Sequence, residues 1–251
     1  MREVLGVRLN GRSYTDTAAR CIAWAQHGES RAIIFANVHV IMEAHDDPSL
    51  HSLLNNADIL NPDGMPLVWA LRMFGHRDAE RVYGPDAMLV LLASTEAAGI
   101  PVGFYGGLPE TMNMLVAETR KRFPKLNIVF KYSPPFRPLD LKEDEDVVRA
   151  IAESGLKMLF VGLGCPKQER WIMDHRGRIN AVMLAVGAAF DFLAKTKRQA
   201  PRWIMRSGFE WAFRLGSEPR RLAGRYFKHN PRFLILVLFQ WLRSSRSRSQ
   251  L

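Results

Sequence analysis

Six short apolar runs, at 32–36, 57–60, 102–105, 127–132, 158–163 and 181–186, are separated by longer amphipathic stretches. Runs of four to six residues are too short for ordinary helices, and their Val, Ile and Phe content suits buried strands. Strands buried on both faces belong in a parallel sheet covered by helices. The intervening segments predict helices at 86–98, 109–122, 143–154 and 166–174. The expected fold is therefore α/β: a Rossmann-like open, mainly parallel sheet flanked by helices over residues 1–197. Near 195–201 the strand-like patterning gives way to an arginine and aromatic composition, which marks 198–251 as a helical, basic C-terminal appendage. At 251 residues and 47% hydrophobic, the chain has ample material for one large core.

Charge follows the same boundary. The chain carries +10 overall, and residues 201–251 hold +9 of it, with ten arginines and Lys228 against Glu210 and Glu218. A basic tail on a nearly neutral body implies a localised anionic partner: nucleic acid, a phospholipid surface or a diphosphate. Residues 1–7 lack the apolar stretch and cleavage site of a secretory signal, and the longest apolar run near the other end, 233–239, has seven residues where a membrane span needs roughly 20. The expectation from these features is a cytosolic protein that does not cross a bilayer. Cys21 and Cys165 form neither a disulfide framework nor a zinc spacing, and His39, His45 and His51 recur every six residues, which is not a helical ligand spacing. No metal and no cofactor are expected.

Three segments have residue types suited to chemistry. Gly162-Leu-Gly-Cys-Pro-Lys-Gln-Glu-Arg-Trp171 follows a strand and opens a helix, so backbone N–H groups around Gly162, Gly164, Lys167 and Gln168 would face a phosphate. The same spacing also makes an ordinary tight turn, and it completes neither GxGxxG nor a P-loop. Asn61-Pro-Asp-Gly64 has two turn signals, yet it follows a strand, and in open α/β sheets ligands sit at the carboxyl ends of strands. A carboxylate at Asp63 would there be placed to deprotonate a hydroxyl. Arg81-Val-Tyr-Gly-Pro-Asp86 introduces a helix, with Arg81 either a solvated surface charge or a clamp on diphosphate oxygens. The Asp144-Glu-Asp146 run matches a metal-binding Asp-x-Asp pattern, but its place at a helix start accounts for it through the helix dipole.

Taken in order, Asn37-Val-His-Val, Asn61-Pro-Asp-Gly-Met-Pro-Leu-Val-Trp69, Glu80-Arg-Val-Tyr-Gly-Pro-Asp86, Gly164-Cys-Pro-Lys-Gln-Glu-Arg-Trp171 and Gly187-Ala-Ala-Phe-Asp-Phe192 resemble the WecG/TagA/CpsF glycosyltransferases. The match continues through Ala200-Pro201, Gly208-Phe-Glu-Trp-Ala-Phe-Arg-Leu215 and Glu218-Pro-Arg-Arg-Leu222, and so covers almost the whole chain. The resemblance implies inverting transfer of a sugar from a UDP donor to an undecaprenyl-diphosphate-linked saccharide in cell-surface polysaccharide synthesis. The sugar would be N-acetylmannosamine, its uronate or glucose. Asp63 would be the base; Asn37, Arg81 and Gln168 would line the site, with Gly84 in the same motif region. Arg214, Arg221 and Arg225 would address the diphosphate. One departure stands out: Phe35 occupies a position where the family often has threonine, which removes a polar contact.

Two rivals remain at this level. A nucleic-acid-binding α/β protein would use the basic, aromatic tail to grip phosphates and stack bases. Its arginines, however, alternate with Trp203, Phe209, Trp211, Phe213, Tyr226, Phe227 and Phe233, a mixture that suits an interfacial membrane segment at least as well. Trp203, Trp211 and Phe213 would equally suit an interface with a second copy of the chain. A nicotinamide-dependent oxidoreductase rests only on the Rossmann-like pattern, and the glycine fingerprint is incomplete. The expected partners are thus a UDP-sugar, a polyprenyl-diphosphate-linked acceptor and an anionic membrane surface, and not nucleic acid.

Overall fold

The computed structural model describes residues 2–248, except for the side chains of residues 206, 221 and 245–248. A small antiparallel hairpin, β1 (Glu3–Val4) and β2 (Val7–Arg8), precedes α1 (Tyr14–Gln26). Ser13 caps α1 by accepting from the Asp16 N–H. The six expected strands follow as β3 (Arg31–Ala36), β4 (Ile59–Pro62), β5 (Val102–Gly106), β6 (Ile128–Tyr132), β7 (Met158–Gly162) and β8 (Val182–Ala185). All pair in parallel, in the order β4-β3-β8-β7-β5-β6.

Parallel neighbours need crossovers, and the amphipathic segments supply them. Between β3 and β4 run α2 (Val38–Asp46) and α3 (Pro48–Asn55); α4 (Met65–Met73) and α5 (Gly84–Ala97) lead to β5. Then come α6 (Pro109–Arg122), α7 (Leu141–Ser154), α8 (Lys167–His175) and α9 (Ala189–Leu193). The period of two along each strand divides the core. Ile34, Ala36, Leu159, Val161, Met183 and Ala185 face one layer, and Ile33, Phe35, Met158, Phe160, Val182 and Leu184 the other. Edge strand β6 departs from the fully buried reading, since Val129 and Lys131 are exposed on its outer face.

The acidic run at the start of α7 is consumed locally. Asp140 and Glu143 form a reciprocal capping box, which stabilises the helix start by roughly 1 kcal/mol. Asp144 accepts from His175 at 2.9 Å and pairs with Arg178 at 2.7 Å.

Beyond the sheet lie α10 (Arg202–Arg206), α11 (Glu210–Ser217) and the 30-residue α12 (Pro219–Arg248). One face of α12 returns to the body: Phe233 and Val237 are buried in the core layer that also holds α2 residues. Polar contacts fix the register. Arg232 pairs with Asp46 at 2.6 Å, and Gln240 accepts from the Leu5 N–H at 2.9 Å. The other face leaves Phe227, Leu234, Ile235, Leu238 and Phe239 more than half exposed. No helix among the described residues is long and apolar enough to cross a membrane.

Candidate active site

Two strand ends start the site. Ala36 and Pro62 are register partners at the carboxyl ends of β3 and β4, so Asn37 and Asp63 leave the sheet side by side. The Asp63 N–H donates to the Ala36 carbonyl at 2.8 Å. Asn37 is the N-cap of α2, its carbonyl oxygen accepting from the His39 and Val40 N–H groups at 3.0 and 3.3 Å. A turn that must both end a strand and begin a helix favours asparagine for this reason.

Arg81 reaches the same point from the loop before α5. Its Nε donates to the Asp63 carbonyl, one Nη stands 3.7 Å from Asp63 Oδ1, and the other donates to the Met205 carbonyl at 3.2 Å. Glu210, the first residue of α11, accepts from Arg81 at 2.5 Å and lies 3.9 Å from Arg214. The guanidinium also rests 4.2 Å from the centroid of the Tyr83 ring. Arg81, Asp63 and Glu210 all have side chains less than a sixth exposed.

This burial governs the acid. Desolvation pushes the Asp63 carboxyl up, Arg81 and Arg214 hold it down, Glu210 raises it again, and the Gly84 N–H bond lowers it, leaving the group at about 7. Phe35 is buried beside Gly84; a Cβ at Gly84 would lie 3.5 Å from Asp63 Oδ2 and 3.6 Å from Phe35. A carboxyl titrating near neutrality can take a proton from a hydroxyl and release it again.

A cavity of about 90 Å³ opens above these groups, lined by Asn37, Asp63, Arg81 and Tyr83 from the sheet side and by Trp211, Arg214, Arg225 and Tyr226 from the appendage. The structure thus brings together Asn37, Asp63, Gly84, Arg81, Arg214 and Arg225. The side chain of Arg221 lies outside the described residues. Four sequence candidates stand elsewhere, at the carboxyl end of β7. Gln168 is buried, with its carbonyl accepting from the Gly164 N–H at 3.1 Å and its amide donating to Glu169 at 3.0 Å. Gly162 is close-packed, since a Cβ there would meet Phe190 at 2.6 Å. Gly164 has a φ of +80° with open space around it, and Lys167 is exposed, its Nζ 5.4 Å from the centroid of the Phe136 ring.

Residue-level reading missed two groups. Glu210 counted only as one of two tail acids, although its place in the Gly208-Phe-Glu-Trp motif was a signal. His39, Glu43 and His229 form a second cluster beside the cavity, with one potential ligand atom from each and all within 4.8 Å of one another. The expectation of no metal rested on the six-residue recurrence of His39, His45 and His51. The tertiary partners of His39 are instead four and 190 residues away.

An open parallel sheet with a buried carboxyl and converging arginines at its strand ends has its candidate site where α/β proteins bind ligands. The chain belongs to the glycosyl transferase WecG/TagA/CpsF family, whose model matches residues 2–247, and it is a glycosyltransferase. It is 30% identical over 207 residues, covering 82% of this chain and 78% of its relative, to the N-acetylglucosaminyldiphosphoundecaprenol N-acetyl-beta-D-mannosaminyltransferase of Bacillus spizizenii.

Proposed function

We propose that this enzyme moves a hexose-type sugar from a UDP donor, with inversion, to a saccharide carried on undecaprenyl diphosphate. N-acetylmannosamine is the leading donor sugar, because the Bacillus relative is named for that transfer and for an N-acetylglucosaminyl diphosphoundecaprenol acceptor. The observation that carries the reading is the Asp63–Arg81 pair at the ends of two adjacent strands. Asp63 accepts the proton of the acceptor hydroxyl as that oxygen bonds to the anomeric carbon. The bond from that carbon to the UDP oxygen breaks on the opposite face, and the electron pair leaves with the diphosphate. Arg81 takes up the developing charge on the leaving diphosphate, a task that a fixed guanidinium group performs without magnesium, while Arg214 and Arg225 of the appendage hold the acceptor diphosphate.

Residues 1–197 serve in this scheme as the catalytic unit and 198–251 as the unit for membrane and acceptor. The exposed apolar face of α12, and the exposed Trp203 and Phe209 of the appendage, suit the headgroup boundary of an anionic leaflet. A diphosphate on Arg81 requires Glu210, which now accepts from its guanidinium, to yield. The test is a panel of UDP-sugars offered with short-chain polyprenyl-diphosphate saccharides, without added magnesium or manganese. Transfer of one sugar with inverted anomeric configuration is expected; retention of configuration, or an absolute need for added magnesium, overturns the mechanism.

A further inference from the structure

We propose that His39, Glu43 and His229 form a binding site for a zinc-type transition-metal ion that ties α12 to α2. His39 and Glu43 are four apart on α2 and so share one helical face. That face packs against α12, which presents the buried His229. Glu43 Oε1 lies 3.6 Å from His39 Nδ1 and 3.3 Å from His229 Nε2. Two ligand atoms that each stand about 2.0–2.1 Å from a tetrahedral zinc are roughly 3.4 Å apart. Both carboxylate-to-imidazole spacings already match, and only the histidine pair must draw closer.

The polar accounting agrees with the geometry. His39 Nδ1 is buried without a hydrogen-bond partner, since 3.6 Å to Glu43 is too long for one. A buried polar atom left in that state calls for an explanation, and a ligand role supplies it for the nitrogen that faces Glu43. Two imidazole nitrogens and one carboxylate oxygen favour zinc, nickel or copper over calcium or magnesium, which prefer all-oxygen shells. Arg225 and Lys228 on α12 act electrostatically on His39 and oppose a dication, so the expected affinity is moderate.

Three protein ligands leave a fourth position for water. His39 and His229 both line the cavity, so the cluster adjoins it. His39 is two residues from Asn37, and Arg225 is one turn from His229. An ion here would fix the appendage arginines relative to Asp63, without taking part in the transfer proposed above.

The experiment uses the full-length chain, stripped of metal and titrated with Co²⁺ as a spectroscopic probe and with Zn²⁺ by calorimetry. One equivalent of Co²⁺ should give the intense visible bands of a tetrahedral site, be displaced by Zn²⁺, and raise the melting temperature. Glu43→Gln and His229→Ala should each weaken binding by about tenfold or more. His45→Ala, at an exposed position on the same helix, should leave it unchanged. Glu43→Gln keeps the side-chain shape, and its circular dichroism verifies folding independently of activity. Absence of saturable Co²⁺ and Zn²⁺ binding overturns the site, as does binding that survives both substitutions.

Discussion

Replacing Asp63 by asparagine should make the protein more stable and nearly inactive, with the gain in stability depending on pH. The Asp63 carboxyl sits at about 7 in the folded chain against an ordinary 3.8. A shift of about three units corresponds to about 4 kcal/mol. Since the folded state has the higher pKa, it holds the proton more tightly than the unfolded chain. The stabilisation is complete below about pH 4, declines as the pH rises, and is lost once the pH passes about 7. Asparagine has the same shape and no proton to lose. Its advantage over aspartate should therefore widen by about 2–3 kcal/mol between pH 5 and pH 8. For a chain of this size that corresponds to about 5–10 °C in Tm. Turnover at pH 8 should fall by about 10² to 10⁴. Thermal melts of both proteins across that range, with sugar-transfer rates on the same samples, test the two claims together. A Tm difference that stays flat with pH would refute the buried, proton-holding carboxyl; near-normal turnover would refute its role as base.

Glu210→Gln removes a negative charge that raises the Asp63 pKa and leaves Arg81 to pair with Asp63 alone. The acid limb of the kcat/KM profile should then move to lower pH, and a limb that stays or moves upward contradicts the electrostatic assignment. Arg81→Lys keeps the charge but loses the fork that spans Asp63, Glu210 and the Met205 carbonyl; kcat/KM for the UDP-sugar should drop by about tenfold or more, as steady-state kinetics would show. Leu238→Glu combined with Phe239→Glu, both on the exposed face of α12, should abolish most binding to anionic vesicles in co-sedimentation while leaving Tm within about 2 °C of the parent.

The sequence by itself determined the architecture. Short buried runs alternating with amphipathic segments admit few arrangements other than a helix-covered parallel sheet, and all six runs became its strands. It also marked Asp63 from its place in a turn after a strand, while Asn37 entered only through the family resemblance. Local pattern cannot, however, supply strand order. Only the pairing of β3 with β4 sets those two residues side by side, and only the docking of α11 brings Glu210 to Arg81 across 129 residues. The glycine-rich turn after β7 was legible only as either a phosphate cradle or an ordinary tight turn, and only the fold shows Gly162 packed close to Phe190 and Gln168 accepting from the Gly164 N–H. The near-neutral state of Asp63 is likewise tertiary. It depends on how much water the surrounding residues exclude and which charges converge there, and both are properties of contacts between segments distant along the chain. The meeting of His39 and Glu43 with His229 has the same origin: helical spacing gives the first two a common face, but only the packing of α12 on α2 supplies the third.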